Sequence, residues 1–249
     1  MLNQQGKEFV KILERMKPSK HIHEIFSDWL VMAASALYSW KKDEKIENEY
    51  MEIAKHYTNE ELKEHIRLIE ITTEALEEKE QDFLGEVFTF ANLTNDRGGQ
   101  FFTPYHISYM SAQTAIDKNN LPKNRVAKIS DPVCGSGGML IAGAQVLKEY
   151  GFNFQQDALY IGQDIDARCA RMTFIQLSLL GVPAVVYCMN TLTMQTFWHR
   201  ETIGYHLAEM GFRLKTEKMI DMMNDFEPAK SKLGVEQSPP QVVLQGELF

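Results

Sequence analysis

Hydrophobic spacing divides the chain into two regions of different period. Over residues 1–95 the apolar positions recur at helical intervals. Phe9, Ile12, Leu13 and Met16 share one face before Pro18-Ser19 interrupts the pattern. Residues 21–40 are apolar almost all round (Ile25, Phe26, Trp29, Leu30, Met32, Ala33, Ala36, Leu37, Tyr38, Trp40), which predicts the buried helix of a bundle. The charge run at 41–45 reads as solvated surface, and Tyr50, Met51, Ile53, Ala54 and Tyr57 predict a third helix over 46–57. Thr58, with Glu61 three residues on, has the form of a capping box for a fourth helix carrying Leu62, Ile66, Ile69 and Ala75. A short apolar helix over 83–88 closes this region.

Beyond residue 95 the pattern alternates between strand and helix. A Gly-Gly loop leads into Gln100-Phe101-Phe102-Thr103-Pro104 and a helix over 105–116. Strands are predicted at 126–130, 158–163 and 185–189, with helices at 139–150 and 167–180 between them and a loop over 151–157. Asp166 suits the N-cap of the second of these helices and Gly181 its C-terminal end. Strand–helix–strand–helix–strand implies a parallel sheet with right-handed crossovers, hence an α/β class behind an all-helical segment. Residues 194–202 lie where a fourth strand is due, followed by a helix over 203–210. The expected organisation is a helical domain over 1–95, a sheet domain over 96–227 and a Ser/Pro/Lys/Gln-rich tail over 228–249.

Composition narrows the function classes. The chain has 249 residues, enough for one large or two small cores. A formal charge of −8 opposes counterion-driven nucleic-acid binding by the chain alone, leaving only local basic patches. Three scattered cysteines (Cys134, Cys169, Cys188) fit reduced thiols, and with no signal-like N-terminus and no long apolar run they predict a cytoplasmic location without a membrane span. No Cys/His spacing suggests a metal, and His21 and His23 read as surface histidines.

Candidate chemistry concentrates at strand ends. Asp131-Pro132-Val133-Cys134-Gly135-Ser136-Gly137-Gly138 joins the first strand to its helix. Such a turn serves equally as a plain tight turn or as a cradle where a ligand meets backbone and the free N–H groups of the helix start. Asp164 ends the second strand, further downstream than a dinucleotide fingerprint places its acid, and Asn190 ends the third. A carboxylate at that edge can accept two hydrogen bonds from ribose hydroxyls; the alternative is that Asp164 and Asp166 only cap the helix, and of the two Asp166 is read as the cap and Asp164 as the ribose acid.

Three ordered motifs, Gln-Phe-Phe-Thr-Pro at 100–104, Asp-Pro-Val-Cys-Gly-Ser-Gly-Gly at 131–138 and Tyr-Ile-Gly-Gln-Asp-Ile-Asp at 160–166, resemble those of the N6-adenine DNA methyltransferases. The likeness is to the modification subunits of type I restriction-modification systems and covers roughly residues 80–192. It implies a Rossmann-like fold and an S-adenosyl-L-methionine (SAM) cofactor. Carried across, Phe102, Thr103, Pro104, Asp131, Cys134, Gly135 and Gly137 would hold the methionine part, Asp164 the ribose, and Ile165 the adenine face. The family's third strand usually ends in Gly-Asp-Ser/Thr-Leu; here Met189-Asn190-Thr191-Leu192 stands, so Asn190 would accept from the adenine amino group without charge assistance.

The family's Asn/Asp-Pro-Pro-aromatic grip on a flipped target adenine is missing after residue 192. The one Pro-Pro pair, Pro239-Pro240, follows Ser238 and precedes Gln241 in the polar tail. Phe197, Trp198 and His199 could stack on a base, though a structural role suits them better. The expected function is therefore SAM binding without autonomous methylation. The alternatives are an active methyltransferase using unrecognised or partner-supplied target residues, and a non-catalytic module that docks restriction-modification or replication proteins. DNA would be met only with a partner subunit, and the N-terminal helices are candidate protein-docking surfaces. The terminal Gln245-Gly246-Glu247-Leu248-Phe249 is similar to sliding-clamp-binding peptides, with Gln245, Leu248 and Phe249 as anchors; an ordinary tail folded back on the domain is the favoured reading.

Overall fold

The computed structural model describes residues 2–16, 20–91, 93, 102–121 and 126–211. Five helices open the chain: α1 (Gln4–Arg15), α2 (Ile22–Tyr38), α3 (Glu44–Ala54), α4 (Asn59–Glu78) and α5 (Phe83–Phe90). Their starts are chemically fixed. Asn3 accepts from Gly6 N–H, Asp43 from Lys45 N–H, and Thr58 and Glu61 complete both halves of the expected capping box. The charge run read as plain surface thus also contains the cap of α3. The rings of Phe9, Phe26, Trp29 and Phe83 meet edge-on or tilted, Phe9 lying 5.0 Å from Trp29 and 5.9 Å from Phe83. Each is fully or almost fully buried, a contribution of about 1.5–3 kcal/mol per side chain.

The remaining elements are α6 (Tyr105–Ala115), β1 (Ala127–Asp131), α7 (Gly138–Glu149), α8 (Phe154–Asp157), β2 (Ala158–Asp164), α9 (Ala167–Leu179), β3 (Ala184–Asn190) and β4 (Gln195–Glu201). The sheet order is β1-β2-β3-β4, with the first three strands parallel, as the alternation of strand and helix predicts. One detail differs from the sequence reading and a second goes beyond it. Residues 151–157 hold the short α8, started by Asn153 accepting from Gln155 N–H, rather than an open loop. The fourth strand runs antiparallel on the outer edge of β3, with an irregularity beside Cys188 and Met189. Its direction follows from its connection, because residues 191–194 alone join it to β3 and a parallel return needs about a dozen residues.

The helical segment and the sheet pack as one compact unit, Met1–Glu209; Met210–Phe249 is a second unit. Within the first, Tyr38 packs edge-on against Phe174 of α9 and its hydroxyl donates to Glu201 at 2.7 Å. Glu49 of α3 accepts from Arg171 of α9 at 2.8 Å and from the buried Arg200 of β4 at 3.1 Å. The boundary expected at 95/96 falls among residues outside the description, and so do the 228–249 segment, Pro239-Pro240 and the Gln245, Leu248 and Phe249 anchors. No helix among the described residues is long and apolar enough to cross a membrane, and none of their side chains cluster as a metal site.

Candidate functional site

The turn between β1 and α7 is built from three constraints. Gly135 (φ +56°) and Gly137 (φ +98°) occupy left-handed backbone that side-chain-bearing residues rarely adopt. A Cβ on Gly135 would meet the Phe102 ring at 3.0 Å, and one on Gly137 would meet Thr173 at 3.1 Å. The turn is then pinned to the end of β2: Gly135 N–H donates to one Asp164 oxygen at 2.9 Å, Cys134 N–H to Gln163 O at 2.8 Å. The other Asp164 oxygen accepts from Asp166 N–H at 2.8 Å. Asp164 is therefore structural as well as exposed to the site, and each oxygen keeps acceptor capacity for a ligand.

A cavity of about 200 Å³ opens at these strand ends, lined by Phe102, Thr103, Asp131, Cys134, Gly135 and Asp164 among the expected residues. Gly137 lies beneath it, shaping the turn against Thr173. Besides Gly137, three expected residues do not line it. Pro104 caps α6, its carbonyl accepting from Ile107 and Ser108 N–H. Ile165 is largely exposed beside Asp164. Asn190 spends its side-chain oxygen on Leu192 and Thr193 N–H, at 3.0 and 3.2 Å, holding the β3–β4 turn. Within the lining, Cys134 offers its backbone: its sulfur is buried and accepts from Thr173 Oγ1 at 3.3 Å, and burial pushes its thiol far above the ordinary range. Burial of this kind disfavours the thiolate form.

Sequence reasoning missed the floor of the cavity. Asp82, the N-cap of α5, is buried and lines it with Ser136, Gly138, Met139 and Cys169. One Asp82 oxygen accepts from Gly85 N–H at 3.0 Å and from Gln176 Nε2 at 2.9 Å; the other accepts from Ser136 Oγ. Gln176, fully buried on α9, also donates to Ser136 O at 2.8 Å and accepts from Leu84 N–H at 3.1 Å. A Cβ on Gly85 would sit 2.2 Å from Asp82 Oδ2 and 2.5 Å from Ser136 Oγ. The Asp-x-x-Gly spacing at 82–85 signals a helix cap; only the long-range partners on α9 and in the turn reveal a site residue.

The electrostatics are one-sided. Burial pushes the carboxyls of Asp82, Asp131 and Asp164 above the usual carboxylate range; for Asp164 its two backbone hydrogen bonds pull the other way and the neighbouring Asp166 and Asp131 add to the rise. Helix α7 has no side-chain cap, so its first N–H groups at the cavity are free for an anion. A larger groove of about 770 Å³ between α1 and α4 is lined by charged chains, but Arg15 and Arg67 are neutralised there by Glu64 and Glu8, and it lies away from the strand ends.

The chain is similar to several known proteins. The type I restriction enzyme MpnII methylase subunit of Mycoplasma pneumoniae is 36% identical over 107 residues, covering 40% of this chain and 18% of that protein. The MjaIX methylase subunit of Methanocaldococcus jannaschii is 29% identical over 99 residues, covering 40% of this chain and 16% of that protein. The matched stretch is thus under a fifth of either relative's length. Among solved structures, a class I S-adenosylmethionine-dependent methyltransferase from Listeria monocytogenes aligns at TM-score 0.40 and 15% identity, over 73% of this chain and 52% of that one. The type I restriction-modification methyltransferase subunit of Streptococcus thermophilus aligns at TM-score 0.37 and 14% identity, over 72% and 55%. The sequence pattern described as N-6 DNA Methylase matches residues 79–236, which is more than half of the chain and takes in every residue lining the cavity. The chain therefore belongs to the N-6 DNA methylase family.

Proposed function

We propose that this chain binds SAM at the β1/β2 strand ends as the cofactor-holding part of a type I modification methylase, and that it does not methylate DNA unaided. The observation that carries the reading is the Gly135–Asp164 hydrogen bond, which fixes a glycine turn and a strand-end carboxylate as one rim inside the N-6 DNA methylase match. The residues fit the cofactor. A Cβ on Gly135 would press on the Phe102 ring that walls the cavity, Asp164 retains acceptor capacity for ribose hydroxyls, and the uncapped start of α7 suits a carboxylate. When bound, SAM supplies a methyl group carried on a sulfonium.

The chain's own residues bind and orient. Asp131 is held by accepting Val133 N–H at 3.1 Å, beside the turn that would carry the methionine part. The Phe102 ring closes over Gly135 and is backed by Phe88 at 5.2 Å, which keeps water from that side of the cavity. Residues 193–249 carry no Asn/Asp-Pro-Pro-aromatic segment of the form that grips a flipped adenine, so on this reading the grip on the target base comes from outside these 249 residues, from further sequence or from a partner subunit. Calorimetry with SAM tests the first part, and absence of binding overturns it. A labelled methyl-transfer assay on unmodified DNA tests the second: transfer by the chain alone refutes it.

A further inference from the structure

The buried carboxylate on the cavity floor has a feature that cofactor holding by itself does not require. Asp82 is 3% exposed, and its three described partners, Gly85 N–H, the Gln176 amide and the Ser136 hydroxyl, are all neutral. Asp131 and Asp164 likewise engage only backbone N–H groups. No Lys, Arg or His is among the described lining residues. The nearby guanidinium of Arg168 is already committed to Asp166 at 2.9 Å and to Leu93 O. Three carboxylates thus share a small cavity with no side-chain counter-charge among the described residues, an arrangement whose electrostatic deficit a cationic ligand relieves and a neutral one does not.

We propose that Asp82 is a specificity-determining residue that makes this cavity select the positively charged sulfonium form of the cofactor over its neutral thioether product. The proposal rests on the SAM reading above and deepens it. SAM and S-adenosyl-L-homocysteine (SAH) share the adenosine and the amino-acid end and differ by one methyl group and one positive charge. Contacts to ribose, adenine and the methionine carboxylate therefore cancel in a comparison of the two, and the residual preference reports the charge at the cavity floor. The upward displacement of all three carboxyls by burial has the same origin, since each lacks a cation to hold it ionised. Selection of this kind also clears product after transfer.

The test is calorimetric titration of the whole chain with SAM, with SAH and with sinefungin, an analogue bearing an amine in place of the methylated sulfur. The wild-type protein is expected to bind SAM and sinefungin at least about tenfold more tightly than SAH. Asp82→Asn keeps an oxygen for Gly85 and Gln176 and turns an amide toward Ser136, so it removes the charge and keeps the shape. It is expected to weaken SAM and sinefungin about tenfold while moving SAH less than about threefold. Equal loss for all three ligands assigns Asp82 a purely structural role and overturns the proposal. If the variant does not fold, the wild-type series decides: equal affinity for charged and neutral ligands overturns charge selection and leaves the SAM site standing. Failure of all three to bind the wild-type protein sinks the SAM reading itself.

Discussion

His65 gives the helical segment a built-in acid sensitivity whose size follows from its surroundings. The residue is 4% exposed on α4, packs edge-on against Tyr57 at 4.4 Å, and neither ring nitrogen has a hydrogen-bond partner. Burial first of all lowers its pKa from 6.5 to about 4; Lys20 lowers it too, and Asp28 and Glu61 oppose the shift. In the folded protein the ring therefore stays neutral where the unfolded chain already takes up a proton. The linked stability is intact above about pH 6.5 and is lost as pH falls toward 4. Between pH 7 and about pH 5 the loss is about 2 kcal/mol, with roughly 3 kcal/mol reached once pH passes below 4. Urea unfolding of wild-type protein and of His65→Leu at several pH values measures it. The variant is expected to lose about 2 kcal/mol less than wild type over the interval from pH 7 to 5. Parallel pH dependence in the two proteins would falsify the assignment of a buried neutral histidine.

Three further outcomes follow from the site and its supports. Asp164→Ala is expected to weaken SAM binding by about 1.5–3 kcal/mol by calorimetry, the range for hydrogen bonds to a charged acceptor, and also to lower the melting temperature because Gly135 and Asp166 N–H lose their partner. Unchanged affinity in a folded variant removes Asp164 from the site. Gly137→Ala should cost about 1–3 kcal/mol of stability in denaturant titration, from the φ of +98° and the contact with Thr173; a neutral effect would show that the turn relaxes freely. Glu49→Gln should cost about 1–3 kcal/mol, since Arg171 and the buried Arg200 lose their shared carboxylate, and full stability in the variant would mean that the neighbouring Tyr38 and Trp198 rings suffice for Arg200.

Much of this architecture is legible in local chemistry. Period-3.6 faces, the Thr58–Glu61 box and the Asp166 cap fix helices through neighbours a few residues away, and the βαβαβ order dictates parallel pairing. The Asp131–Gly138 turn and Asp164 are legible because glycine and strand-end carboxylates carry their constraints in sequence. The direction of β4 is harder, since the residues of a strand do not encode which way it pairs and the short 191–194 link decides it. Asn190 has a local role that the motif does not announce, because a side-chain carbonyl two residues before free N–H groups caps its own turn. Asp82 escapes sequence reading altogether, because its partners Ser136 and Gln176 lie far along the chain and meet it only after the sheet and helices have packed.

Gln176 carries a practical consequence. One buried amide on α9 joins the backbone of α5 to the carbonyl of Ser136, and the apolar interior runs unbroken from Phe9 and Trp29 to Tyr160 and Phe174. The ligand-binding half is thus not a transplantable module: a fragment cut at residue 96 would strip Asp82 from the cavity and bare aromatic surface to water, and excision experiments must keep α5 with the strands it braces.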